Sequence, residues 1–265
     1  MNKILVCYLF TCFDKHESIS NFIKYYKKYT SGVSHDLLIC FKMLKENDIF
    51  AIKNLIKNIN YIEFIDPNES NDYDFGSYKR ISELNKDKQI LFLNSHSYPV
   101  CNDWLSKLTN NCDDHSLIGT SASYESILDS IKLKKKTKII SYLLKKFKFK
   151  KKFNSFPNPH IRTSSFLIKG QTFLDFIKDR EIYNKEDAWE IESGRSSLTN
   201  YFKYKNYKIY VVNSDGKRFT ENDWKFSETY CYSTQSKSII SDKHTRKYLS
   251  LSSDDRILSQ LQVWG

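Results

Sequence analysis

Four apolar runs, at 3–10, 36–43, 61–65 and 89–93, alternate with segments of helical periodicity, and this alternation most constrains the fold. The run at 3–10 is continuous, as in a parallel strand covered on both faces. Between the runs, 17–30 carries Ile19, Phe22, Ile23 and Tyr26 at helical spacing, and 46–59 carries Ile49, Ile52, Leu55 and Ile56. A short helix is predicted at 77–85. The β-α-β-α-β-α-β order predicts an α/β chain with a mostly parallel, Rossmann-like sheet flanked by helices. Beyond it the expected elements are a helix at 102–110, a strand at 116–121, a long helix over 125–152 and a strand at 161–168. Helices at 171–179 and 192–204 and a strand at 207–212 follow, and the tail from 213 reads as irregular. With no internal repeat and no Pro- or Ser-rich linker, residues 1–265 read as one domain.

Charge narrows the function classes. The net charge is +11, and residues 132–152 hold eleven Lys and no acid, which equals the whole excess. Only seven basic residues are Arg, whose planar fork serves base and phosphate readout. A nucleic-acid partner is therefore not expected. No apolar run reaches the roughly 18 residues of a membrane-spanning helix. The six Cys (Cys7, Cys12, Cys40, Cys101, Cys112 and Cys231) show no zinc-ligand spacing and read as reduced thiols of a cytoplasmic protein. The first thirteen residues lack a small-residue cleavage site and are followed at once by Asp14-Lys15-His16-Glu17, so a buried first strand is expected there, not a leader.

In an open α/β sheet, ligands bind beyond the carboxyl ends of the strands. Those ends are Thr11 after the first run, Asp66 after the third, and Asn94-Ser95-His96 after the fourth. The segment from Asp72 through Asp74, Gly76, Tyr78 and the strand 89–93 to Pro99, with Trp104-Leu105 beyond it, resembles the central segment of GT-A glycosyltransferases, especially the family 2 type. The resemblance covers roughly residues 3–212. It implies a donor-binding half at about 1–120 and an acceptor and catalytic half at about 121–265. It also implies transfer of a sugar from a nucleotide-sugar donor to a glycan or lipid-linked glycan, with inversion, in cell-surface polysaccharide synthesis. Thr11, Asp66, Asp74, Tyr78, Asn94, Ser95 and His96 are the expected donor-binding residues. In that family an acidic pair at the strand end holds a divalent cation on the diphosphate. Here Asn94 and His96 stand in its place, and hard cations prefer carboxylates. Mn²⁺ or Mg²⁺ dependence is thus left open, with His96 the one candidate ligand.

Lys185 to Thr199 contains Glu192 directly ahead of Ser193-Gly194 and resembles the late acidic motif of the same enzymes. The resemblance makes Glu192 the general base for the acceptor hydroxyl, with Glu190 and Asp187 as rivals. In Pro157-Asn-Pro-His160-Ile-Arg162, the last two named residues lie two apart on a predicted strand and share a face. Arg162 is expected at the donor diphosphate, since a guanidinium binds phosphate bidentately. His160, Glu190 and Arg195 are expected on the acceptor side. Ile139, Ile140, Leu143, Leu144 and Phe147 recur at helical spacing among lysines, the pattern of a helix that lies on an anionic membrane surface. The alternatives are a non-catalytic binder of sugar nucleotides or glycans and, less favoured, a nucleic-acid binder using the lysine helix.

Overall fold

The computed structural model describes residues 3–110, 112–132 and 136–265. The first half follows the predicted alternation: β1 (Ile4–Thr11), α1 (His16–Lys28), β2 (Asp36–Lys42), α2 (Glu46–Ile56), β3 (Ile62–Ile65), α3 (Tyr73–Leu84) and β4 (Gln89–Leu93). Next come β5 (Tyr98–Pro99), α4 (Trp104–Thr109), β6 (Ser116–Gly119) and β7 (Ala122–Ser123). The second half holds α5 (Ile139–Lys152), β8 (His160–Ile161), β9 (Ser165–Lys169), α6 (Gly170–Ile177), α7 (Lys185–Ser193) and α8 (Leu198–Tyr204). It ends with β10 (Lys208–Val212), β11 (Arg218–Phe219), β12 (Ile240–Ser241), α9 (Lys243–Leu249) and α10 (Ser253–Trp264).

Both halves feed one eight-stranded sheet of order β11-β10-β6-β9-β4-β1-β2-β3. β1 is central, and its residues Leu5 to Phe10 are all at most 1% exposed. Alternate side chains serve opposite faces. Leu5, Cys7 and Leu9 join one core cluster, and Val6, Tyr8 and Phe10 join the other. A strand buried on both faces needs no polar alternation, which is why this segment reads as an unbroken apolar run. Each fully buried large apolar side chain contributes roughly 1.5–3 kcal/mol, so this strand anchors both layers.

Four expectations are corrected. Residues 125–152 are not one helix. The chain turns at 126–130, Lys136–Lys138 form a 3-10 turn, and α5 begins at Ile139. Residues 133–135 lie outside the described residues. The expected strand 161–168 is two strands separated at Arg162–Ser164, and β9 runs antiparallel to both β4 and β6. The expected helix 192–204 breaks at 194–197: α7 ends at Ser193 and α8 starts after the Ser197 cap. The break is tight, because a Cβ on Gly194 would lie 2.6 Å from the Glu190 carbonyl oxygen. The tail is not irregular, since α9 and α10 form there with Asp242 and Ser252 as N-caps. All six cysteines are free. No helix among the described residues is long and apolar enough to cross a membrane.

The reversal of β9 decides where the site lies. Leu93, at the carboxyl end of β4, pairs with Ser165, at the start of β9, and Gly119, at the end of β6, pairs with Phe166. The residues that precede β9, Arg162 to Ser164, therefore reach the same lip as those that follow β4 and β6.

Candidate active site

A cavity of about 480 Å³ opens at this lip. Its sheet side is made by Asn94 after β4, Ser123 and Glu125 after β6, and His160, Arg162, Thr163 and Ser164 before β9. Tyr73 and Asp74 come from the start of α3, Lys185, Trp189 and Glu192 from α7, and Tyr230 and His244 from the C-terminal segment. The volume lies in the range of small-ligand sites, and aromatic walls with a few convergent polar groups are their usual composition.

Of the three acids proposed from the 185–199 motif, only Glu192 lines the cavity. Its Oε1 accepts from the Thr163 N–H at 3.0 Å and the Thr163 hydroxyl at 2.9 Å. Its Oε2 makes no hydrogen bond among the described residues. Asp187 is engaged in a capping box with Asn184, accepting the Tyr183 and Asn184 N–H groups. Glu190 pairs with Lys152 at 3.0 Å on the outer side of α7. Glu192 sits at the end of α7, not at a helix start as the motif suggested, so dipole stabilisation at a helix N-terminus does not explain it.

Arg162 is buried. Its Nη1 lies 2.8 Å from Asp242 Oδ2 and 3.1 Å from the Ser121 hydroxyl, and the guanidinium lies 3.7 Å from the centre of the Tyr230 ring. Burial works to raise the Asp242 pKa, but Arg162 and the Thr245 N–H pull it down to about 2. His160 shares the cavity with Arg162, although the strand on which their spacing was read ends at Ile161. Its Nδ1 lies 2.8 Å from the Asn158 carbonyl oxygen, which can only accept, so this nitrogen carries the proton. Burial lowers the pKa of His160, against the pull of Glu192, and leaves the neutral ring with Nε2 as an acceptor. Asp74 is half-buried, and its pKa is pushed up to about 6 by burial, with Asp14 and Glu192 adding to the rise against Lys42. Carboxyls displaced toward neutral pH in a cleft are candidates for proton transfer.

Other expected site residues are held elsewhere. Asp66 is buried in an ion-pair cluster, where both its oxygens take the Arg80 guanidinium at 2.7 Å while Arg80 also reaches Asp72. Lys42, 1% exposed at the end of β2, completes the cluster by pairing with Asp72. Every oxygen of Asp66 is thus used, and its role is to join β3 to α3. Tyr78 is fully buried and its ring lies 4.3 Å from that of Phe92, so it is a core residue. Thr11 and Ser95 both donate to Asp14, at 2.7 and 2.6 Å, and form a separate knot beyond β1. His96 belongs to that knot, 3.7 Å from Asp14, with burial lowering its pKa. Arg195 is exposed, its side chain 3.4 Å from the Lys150 carbonyl.

The metal expectation fits poorly with these placements. The Asn94 side-chain oxygen is taken by the His96 N–H at 3.2 Å and the Ser97 hydroxyl at 2.8 Å, and the His96 ring lies outside the cavity lining. No group of three or more His, Cys, Asp or Glu among the described residues is placed to hold a metal ion.

Sequence reasoning missed Glu125, Trp189, Tyr230, Asp242 and His244. Trp189 lies within the segment from Lys185 to Thr199, and its place three residues before Glu192 on a helix puts both on neighbouring turns. The others come from loops or the tail, where no periodicity marks them.

No protein-family model matches the sequence, and no curated protein matches it. Several solved structures are similar in fold. The galactosyltransferase LgtC, in complex with donor and acceptor sugar analogues, is 9% identical, with 98% of this chain and 96% of that one covered and a TM-score of 0.43. The apo-form glycosyltransferase GlyE of Streptococcus pneumoniae is 10% identical, with 99% and 65% covered and a TM-score of 0.47. A nucleotidyl transferase from Methanothermobacter thermautotrophicus is 8% identical, with 78% and 97% covered and a TM-score of 0.43.

Proposed function

We propose that the chain is a GT-A-type glycosyltransferase that moves a sugar from a nucleotide-sugar donor to a glycan or lipid-linked acceptor with inversion. The observation that carries this reading is Glu192: one carboxylate oxygen tied by Thr163, the other without a hydrogen bond among the described residues, at the lip where an α/β sheet takes its ligands. An oriented carboxylate in such a place suits proton abstraction. Glu192 takes the proton of the acceptor hydroxyl as its oxygen bonds to the anomeric carbon, the bond from that carbon to the diphosphate oxygen breaks, and the nucleoside diphosphate leaves with the electron pair. Asn94, Asp74 and Arg162 are the donor-side residues of this reading, and His160 is the acceptor-side one. Lys185, exposed at the rim with its Nζ 5.3 Å from the centre of the Trp189 ring, adds positive charge for a leaving diphosphate, because Arg162 is already offset by Asp242.

The finer reading includes an anionic membrane surface as partner and a place in cell-surface polysaccharide synthesis. It is supported by α5, on which Ile140, Leu143, Leu144 and Phe147 are each more than half exposed instead of packing into a core. The decisive experiment is a thermal-shift screen against UDP-, GDP-, dTDP- and CMP-sugars, followed by release of the nucleoside diphosphate with a soluble glycan acceptor. A shift together with release supports transfer. A shift without release under any acceptor selects a non-catalytic sugar-nucleotide binder, a reading favoured by Asn94 standing where the resemblance expects an acid. No shift with any donor ends the glycosyl-transfer reading.

A further inference from the structure

A second cavity, of about 630 Å³, lies between the 127–132 turn and α5. It shares Ile127, Ser130 and Trp189 with the first, so the two are separated by one layer of side chains. Its walls divide chemically. One part is apolar, from Ile127, Ile131 and Phe149 with the Trp189 ring. The other carries Lys132, Lys138 and Lys145, with the Tyr142 hydroxyl near them. No acid lines it, and none of these three lysines is in an ion pair among the described residues. The contrast lies within one helix. Towards its C-terminal end, Lys148 and Lys152 pair with Glu186 at 2.9 and 3.0 Å. Like charges gathered without a counter-carboxylate repel one another, and an anion in the cavity relieves that cost. An apolar wall beside them calls for a chain attached to the anion.

We propose that this second cavity binds the phosphorylated head and the first part of the apolar chain of an amphiphilic acceptor, whose hydroxyl-bearing end passes Trp189 to reach Glu192. The word acceptor rests on the glycosyl-transfer reading of the first cavity; the binding of an alkyl phosphate does not. Ile140, Leu143 and Phe147 are exposed on the side of the same helix that faces away from the cavity, where they bring the helix onto a bilayer that holds the remainder of the chain.

The test uses the full chain and decyl phosphate, with decanol and inorganic phosphate as the two halves of the ligand. Trp104 and Trp224 are fully buried and Trp264 is 6% exposed, whereas Trp189 lines both cavities, so its emission reports occupancy. Decyl phosphate is expected to change the emission and to bind more tightly than decanol or phosphate, and the signal is expected to vanish in Trp189→Phe while calorimetry still records binding. In Lys138→Gln/Lys145→Gln the affinity for decyl phosphate is expected to fall roughly tenfold or more, with decanol unaffected. Circular dichroism melts confirm that the variant is folded. Equal binding of decyl phosphate to wild type and variant, equal affinity for decanol, or no binding at all overturns the assignment. Phosphatidylglycerol vesicles separate the two sources of such a head. Displacement of decyl phosphate by vesicles makes bulk membrane lipid the occupant and overturns the substrate assignment; vesicle binding without displacement upholds it. Loss of the glycosyl-transfer reading would show separately, as absence of nucleotide-sugar binding with decyl phosphate binding intact.

Discussion

At the scale of single residues, the cavity sets two carboxyls in contrasting environments. Glu192 is oriented by Thr163, and Asp74 is half-buried with no hydrogen bond among the described residues. Glu192→Gln keeps the shape and the Thr163 contacts but cannot accept a proton. Transfer is expected to fall by roughly 10²–10⁴-fold with donor affinity retained, measured as nucleoside-diphosphate release against donor titration. Near-normal turnover would remove Glu192 as base, and Asp74 would be the next acid to vary. Asp74 itself has a linkage signature. Its folded pKa of about 6 lies above the 3.8 of the free side chain, so between those pH values the folded chain holds a proton that the unfolded chain has released. Stability contributed by this group therefore falls as pH rises through that window. Asp74→Asn is expected to gain about 1–3 kcal/mol over wild type at pH 7.5 and nothing near pH 3.5, read from urea midpoints at both values. A variant with the same advantage at both would show that the gain is not one of ionisation.

At the scale of elements, α5 departs most from what a helix in a soluble domain does. Phe149 is its one buried residue, its ring lies 5.2 Å from that of Phe153, and the helix is otherwise tied by Lys148 and Lys152 to α7. An apolar stripe left open beside a lysine face fits a bilayer surface, where each lysine contributes ~1 kcal/mol near anionic lipid. Lys146, Lys150 and Lys151 make no ion pair among the described residues, so they can be changed without stranding a carboxylate. Replacing all three by Gln is expected to weaken co-sedimentation with phosphatidylglycerol vesicles by roughly a hundredfold at most, and 0.5 M salt is expected to act in the same direction by screening. Wild-type protein that fails to sediment with such vesicles at low salt would make α5 a solvated surface helix.

At the scale of the whole molecule, the C-terminal segment closes the lip. Asp242 caps α9, accepts from the Ser164 hydroxyl at 2.8 Å and pairs with Arg162, so one carboxylate joins the tail to the connection before β9. Asp242→Asn leaves a buried guanidinium without its carboxylate, which typically costs about 3–5 kcal/mol. The variant is expected to melt well below wild type in circular dichroism and to lose donor binding with it. Because the folded pKa of Asp242 is depressed to about 2, its contribution is present above pH 4 and fades as pH falls from there toward 2. A variant as stable as wild type at pH 7 would mean that water or the Tyr230 ring satisfies Arg162 instead.

The first 93 residues carried their architecture openly, because buried parallel strands leave continuous apolar runs and the helices between them keep their period. The sequence also marked Asp74, Asn94, His160, Arg162 and Glu192, which line one cavity, since each follows an apolar run or sits in a polar motif. It could not tell Glu192 from Glu190 and Asp187. Which of three acids on one helix faces the cavity depends on the helix's rotation, and that is set by Ile191 packing into the core and by the Asn184 cap. Nor could it tell that Asp66 and Tyr78 are spent on structure, because the ion pair with Arg80 and the ring contact with Phe92 depend on how α3 packs against the sheet. The direction of β9 was equally hidden: side-chain alternation is the same in parallel and antiparallel strands, so only pairing with β4 and β6 decided it. That reversal brought Arg162 and Thr163 to Glu192, and with them the site.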